Sequence, residues 1–524
     1  MLVRNHNGLF IYLLDNLIEK VEIFGLYFAA LDVRQDSGVH AKVLTDVAEK
    51  TDILPANYAE LPDAEKIAWL LEIKDSVNPE VFDDELTQDT LRNVSAVKAI
   101  QLNNGADGCR RYIISHCETA LNVLEVYAIF LLGGWQKEEL SVDIVPLFET
   151  IVDLQAASKI MRELYENAVY REHLAKRGDV QTIMLGFSDG TKDGGYLMAN
   201  WSIYKAKDEL TALAREYGVS VIFFDGRGGP PARGGGKTHK FYSLMGENIS
   251  NEAIELTIQG QTVSSNFGTI NSAQFNIEQL VHAGIFNPLF NHKEATFTPE
   301  EENLLQRLAE ESLGAYEDLK NDPAFLDYLS DVSPLKFYAE TNIGSRPAKR
   351  GAGKLTLGDL RAIPFVGAWS QLKQNVPGFY GVGAALKKME AHLDEISRMY
   401  QSNLFFKTLL DNCEMAMQKS DFSLTSYLAA DPIYGAIWRK IHDEFKLCRE
   451  FVAKVTGKED LMTDYPTEQQ SVRTREKIVL PLTTIQQYAL TKIRESEVES
   501  LKGTYEKLII RCSFGIINAG RNSA

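Results

Sequence analysis

Six times between residues 26 and 261, a short apolar run rich in β-branched residues ends on a polar tip and gives way to a helical pattern. The runs are LYFAALDVRQD (26–36), RYIISHCET (111–119), VDIVPLFET (142–150), TIMLGFSDG (182–190), SVIFFDGRGG (220–229) and AIELTIQGQ (253–261). Between them lie helical stretches such as EVYAIFLL, DLQAASKIMRELYENAVYREHLAK and ANWSIYKAKDELTALAREYG, the last closed by Gly218 as a helix C-cap. Strands alternating with helices predict a parallel sheet, because parallel neighbours are joined only through crossovers. If such units close into a barrel, their strand ends gather on one face, and that face carries the chemistry.

Beyond about residue 280 helical periodicity takes over, in EENLLQRLAEESLGAYEDLK, GAALKKMEAHLDEISRMYQSNLFFKTLLDNCEMAMQK, IYGAIWRKIHDEFKLCREFVAKVTG and LTTIQQYALTKIRESEVESLKGTYEKLIIRCSF. Their leucine and aromatic stripes predict a core, and their charges the solvated faces. One stretch interrupts them: residues 342–381, rich in Gly, Pro and basic side chains. A loop of that length is typically functional or disordered, and its apolar tail IPFVGAW predicts order. The expected division is residues 1–285 for the strands and their helices, and 286–524 for a helical region carrying the 342–381 loop.

With 524 residues, 45% of them apolar and 24% charged, the chain has the balance of a globular protein with a large core. Its 72 acidic against 55 basic residues give a formal net charge of -17, which argues against nucleic acid as a partner. Five scattered cysteines in no metal-like spacing suit a reducing, cytoplasmic setting. The N-terminal apolar run is too short for a signal peptide, and no run elsewhere suggests a membrane span.

The polar tips hold Arg34, Glu149, Asp189, Asp225 and Arg227. Each alone also satisfies ordinary turn chemistry; five together, with charge clustered, favour a site. The richest tip is FFDGRGGPPARGGGKTH (223–239), whose end resembles a phosphate-binding P-loop. Pro231 stands where the first glycine of that motif belongs, and proline offers no N–H. Any phosphate held here needs a cradle of another kind.

FETIVDL, GFSDGTKDGG, GRGGPPARGGG, GSRPAKR, LRAIPFVGAWSQ and the terminal AGRNSA, with LDVRQDSGVH near the start, together resemble the phosphoenolpyruvate carboxylase family of bacteria and plants. The resemblance runs in family order along essentially the whole chain. It implies a (β/α)8 TIM-type barrel enzyme, cytoplasmic and homotetrameric, that joins phosphoenolpyruvate and bicarbonate into oxaloacetate and phosphate through carboxyphosphate and an enolate. It implies Mg²⁺ or Mn²⁺ and no biotin.

By the same resemblance, Glu149 and Asp189 match the metal carboxylates, a hard-oxygen pair of the kind that holds Mg²⁺ with water and substrate. Arg34, Arg227, Arg346 and Arg361 match arginines that bind the phosphoryl group or carboxyphosphate, and guanidinium offers phosphate a planar fork of donors. Lys192 adds charge at the same rim. Arg233, Lys419, Arg475 and Asn522 match a site for inhibitory aspartate or malate. There Arg233 would act as a latch, drawing the glycine loop out of the catalytic site.

Two departures qualify the match. Asp225 stands where the family has histidine, and a carboxylate would repel carboxyphosphate unless protonated or paired, with an arginine or with His239. The family's N-terminal half, with the first two barrel strands and a catalytic histidine, has no counterpart here. The expected fold is therefore α/β and mainly helical: six of eight barrel strands, then a large all-helical region. The alternative to a lyase that needs a separate N-terminal half is a catalytically incomplete fragment serving as a dicarboxylate-binding regulatory or oligomerisation module.

Overall fold

The computed structural model describes residues 2–246, 248–251, 253–290, 296–341, 356–358, 360–495 and 499–521. Six strands form where the six apolar runs stand: β1 Asp32–Asp36, β2 Arg111–Ser115, β3 Asp143–Phe148, β4 Val180–Gly186, β5 Ser220–Gly226 and β6 Glu255–Leu256. Their order in the sheet is the order of the sequence, β1 to β6, with β1 and β6 at the edges. This is the strand succession of a (β/α)8 barrel short of two strands. Strands β2 to β4 are buried nearly throughout, as expected of parallel strands covered on both faces.

Local chemistry sets the element ends. The long helical stretch after β3 divides at Asn167, whose side chain accepts the N–H groups of Val169 and Tyr170 and so starts a second helix, Ala168–Lys176. Strand β4 ends at Gly186, four residues earlier than its apolar run suggests. Phe187, Ser188 and Asp189 already belong to the helix Phe187–Glu216, so Asp189 lies in a helical first turn. That helix kinks at Gly195, which takes φ 74°. Arg34 sits in the middle of β1, opposite Ile113 of β2.

The chain forms two compact units, one of Met1–Phe148, Ala156–Met184 and Leu210–Phe223, the other of Glu149–Gln155, Leu185–Glu209 and Phe224–Ala524. In the second unit the tail IPFVGAW is ordered as the helix Ala362–Gln371, with Trp369 fully buried against Phe325, Tyr328 and Phe365. The long helices Pro466–Glu495 and Glu499–Gly520 pack together through Val479, Cys512 and Ile516. Among the described residues, no helix is long and apolar enough to cross a membrane.

Candidate functional site: strand-end carboxylates and a folded glycine loop

Strand β5 delivers Asp225 to a place with no exposed surface. Its Oδ2 accepts hydrogen bonds from Lys207 Nζ at 2.8 Å and from Tyr242 Oη at 2.7 Å, while its buried Oδ1 has no hydrogen-bond partner among the described residues. The counter-ion is therefore Lys207, from the helix Phe187–Glu216, and not His239 or an arginine. Burial draws the Lys207 pKa down and Asp225 draws it back up. Burial also lifts the Tyr242 phenol well above its usual range, and the neighbouring Asp225 carboxylate adds to this.

The glycine loop that follows folds back on itself. The N–H groups of Gly228, Arg233, Gly234 and Gly235 donate to the carbonyls of Arg233, Pro230, Pro231 and Pro230, at 2.7 to 3.0 Å. These four donors are spent within the loop, which together with Pro231 leaves the cradle of a P-loop incomplete. The glycines are needed for closeness: a Cβ on Gly235 would collide with the backbone of Gly229, and Gly234, at φ 70°, lies against the Phe187 ring.

What the loop offers is guanidinium. Arg227 is buried, with Nε donating to Gly234 O at 2.7 Å and its guanidinium carbon 3.8 Å from the centre of the Phe241 ring. Arg233 is only 1% exposed, and its Nε donates to Ser188 Oγ at 3.1 Å. Each keeps one buried nitrogen, Nη1, without a hydrogen bond among the described residues. Desolvation lowers both pKa values, that of Arg233 to about 10 against the opposing pull of Asp189 and Tyr338. Both remain cations at neutral pH. Lys237 points elsewhere, to an ion pair with Glu468.

Glu149, the residue after β3, is buried and packs on the glycines flanking Asp189. A Cβ at Gly186 would come within 3.1 Å of its Cα and Cγ, and one at Gly190 within 3.4 Å of its carbonyl oxygen. Asp189 Oδ1 lies 3.6 Å from Lys192 Nζ, which donates to Leu360 O at 2.9 Å. Leu360 precedes Arg361, the N-cap residue of the helix Ala362–Gln371. Tyr316 Oη donates to Lys192 O at 2.8 Å, and Lys320 pairs with Asp193 at 3.5 Å, fixing this turn.

Among the described residues no group of three or more His, Cys, Asp or Glu side chains gathers as a metal site. The donor set that Glu149 and Asp189 supply fits Mg²⁺ or Mn²⁺, which commonly take one or two protein carboxylates and complete their shell with water and substrate oxygens.

A second group of cations lies near the C-terminus. Lys419 Nζ donates to Arg521 O at 3.4 Å, and its pKa is pushed down to about 8 by burial, then by Lys373 and Arg475. Arg475 is in turn lowered by burial and by Arg521. Pro230, Pro231 and Ala232 of the glycine loop share the wall of one small, open cavity with Lys419, Val366 and Ala416. Arg233 is not in that wall.

The second compact unit thus brings Glu149, Asp189, Lys192, Asp225, Arg227 and Arg233 onto adjoining strand ends and the loop that follows them. Arg361 enters through its neighbour Leu360. Arg34 belongs to β1 in the first unit, and Arg346 and Asn522 lie outside the described residues. Sequence reasoning missed Lys207, Tyr242 and Ser188. Lys207 stands in YKAKDEL, where nothing separates it from a solvated helix charge.

Carboxylates after β3 and β4 and at the end of β5, with arginines on the loop that follows, stand where a barrel-type enzyme carries its strand-end groups. The family model of phosphoenolpyruvate carboxylase matches residues 2–522. Similar proteins of that name come from Trichormus variabilis (32% identity, covering 92% of this chain and 52% of the relative), Corynebacterium diphtheriae (32%, 97% and 58%) and Nitrosomonas europaea (32%, 97% and 56%). The chain belongs to the phosphoenolpyruvate carboxylase family, and it spans about half the length of the curated relatives it matches.

Proposed function

We propose that the chain carries the greater part of a carboxy-lyase site that makes oxaloacetate and phosphate from phosphoenolpyruvate and bicarbonate. The observation that carries this reading is the pair of buried guanidiniums, Arg227 and Arg233, each with an Nη1 donor that has no hydrogen bond among the described residues, beside the carboxylates that follow β3 and β4. Donors buried and unspent in this way suit a phosphoryl group, which repays their desolvation with charge-assisted bonds.

A bicarbonate oxygen attacks the phosphorus and the P–O bond to the enolate breaks, giving carboxyphosphate. Its C–O bond then breaks to release carbon dioxide and phosphate, and the enolate carbon attacks the carbon dioxide to form the new C–C bond. Arg227 and Arg233 hold phosphoryl oxygens through the transfer, joined by Arg34, Arg346 and Arg361 as the resemblance implies. Lys192, fixed by Leu360 O, adds charge beside Asp189. Mg²⁺ or Mn²⁺ on Glu149 and Asp189, when bound, supplies Lewis-acid stabilisation of developing oxygen charge.

The same reading assigns Arg233, Lys419, Arg475 and Asn522 to an aspartate or malate site, which Arg233 would join only by leaving Ser188 as the glycine loop swings out of the catalytic site; the mutual influence of Lys419, Arg475 and Arg521 supports it. The homotetramer, the cytoplasmic location and the role of residues 286–524 as a separate helical region belong to the proposal as well. A six-stranded sheet that, among the described residues, ends at β1 and β6, in a chain half its relatives' length, supports a requirement for a polypeptide carrying the remaining strands. Bicarbonate-dependent oxaloacetate formation should be assayed with Mg²⁺, with and without the N-terminal half of a relative. Turnover only with the added half is expected; no turnover in either case would contradict the proposal.

A further inference from the structure

Apart from Glu149 and Asp189, which the proposed metal would neutralise, Asp225 is the site carboxylate that an anion would meet with repulsion, and its surroundings show what offsets it. Lys207 and Asp225 are 2% and 0% exposed and 2.8 Å apart. Tyr242 donates to the same carboxylate oxygen. Lys207 and Arg227 share one aromatic wall: Lys207 Nζ is 5.3 Å from the centre of the Phe241 ring and 5.8 Å from that of Tyr242, and the Arg227 guanidinium is 3.8 and 5.7 Å from the same centres. Two cations and one carboxylate therefore stand around a single pair of rings. Without Lys207 the carboxylate would cancel the charge of Arg227, and away from water a unit charge acts strongly over such distances.

We propose that Lys207 is a positioning residue that neutralises Asp225, keeping the buried end of β5 net positive so that Arg227 can hold a phosphorylated anion beside a carboxylate. The inference rests on the anion-site reading above and adds to it a residue outside the glycine loop. Lys207 acts through Asp225 and Arg227. A pair that merely filled space would leave anion affinity unchanged in any variant that folds.

The test is titration calorimetry of the full chain with inorganic phosphate at fixed low salt, after circular dichroism has confirmed folding. Lys207→Gln should weaken phosphate binding by about tenfold or more, as expected when a buried charge loses its partner. Lys207→Arg and the double variant Lys207→Gln/Asp225→Asn should each return to within about threefold of the wild type, because both restore the charge balance. A folded Lys207→Gln with wild-type affinity would overturn the proposal. So would a double variant no tighter than Lys207→Gln, or, where the single variant does not fold, a double variant about tenfold weaker than the wild type. If the wild-type chain itself binds no phosphate, the anion-site reading fails and takes the proposal with it.

Discussion

Arg233 Nε donates to Ser188 Oγ at 3.1 Å, which places the glycine-loop arginine beside the residue preceding Asp189 and outside the cavity that reaches Lys419. Replacing Arg233 by alanine should weaken binding of phosphoenolpyruvate by about 1.5–3 kcal/mol, the usual worth of a hydrogen bond to a charged group. Arg233→Lys should recover only part of this, because an ammonium lacks the planar fork. Calorimetry on the three proteins decides the matter, and equal affinities would contradict the assignment.

The far end of the loop is fastened to the helical region. Lys237 pairs with Glu468; Lys240 Nζ donates to Tyr465 Oη at 3.1 Å and lies 4.3 Å from the centre of its ring, and Tyr465 Oη donates to Asp411 Oδ2 at 2.5 Å. Glu468→Ala removes a half-exposed ion pair and should cost less than about 1 kcal/mol of stability. It should nevertheless speed tryptic cleavage at Lys237, because the loop loses a tether. Cleavage at the wild-type rate would show that the pair does not restrain the loop.

The strands were legible because parallel strands buried on both faces read as unbroken apolar runs, as IVPLF of β3 does before Glu149. Glu149, Asp189 and Arg227 were legible for a related reason: strand ends are where a β/α succession must place its polar tips. Lys207 and Tyr242 were not. Whether Lys207 of YKAKDEL faces solvent or Asp225 depends on the direction its helix takes beyond the Gly195 kink, which periodicity does not encode. The pairing of Lys237 with Glu468 spans more than two hundred residues of sequence, and no local pattern announces it.

Lys419 supplies a pH dependence with a definite sign. Its folded pKa of about 8 lies below the ordinary lysine value of 10.5, so between these pH values the unfolded chain binds more protons than the folded one. Stability from this group therefore rises as pH increases from about 8 toward 10.5. A dicarboxylate at Lys419 would favour its charged form, so aspartate binding near pH 8 should take up protons. Calorimetric heats at that pH should vary with buffer ionisation enthalpy in the wild type and not in Lys419→Met. Buffer-independent heats in the wild type would contradict the inhibitor assignment of Lys419.

The helix Ile11–Phe24 has no buried residue, and Tyr12, Leu13, Leu17, Ile18 and Val21 are all exposed. An apolar face of this kind drives association. The isolated chain should show a mass by light scattering that rises with concentration, and Leu17→Glu with Val21→Glu should reduce that rise. A concentration-independent monomer would contradict the expectation.

The central claim is a carboxylation that passes through transfer of the phosphoryl group to bicarbonate. Its most direct test is to run the complemented reaction with heavy-oxygen-labelled bicarbonate and analyse the released phosphate by mass spectrometry. Each phosphate should carry a single oxygen from bicarbonate, with the new carboxylate of oxaloacetate holding the other two; oxaloacetate formed alongside unlabelled phosphate would rule out phosphoryl transfer to bicarbonate.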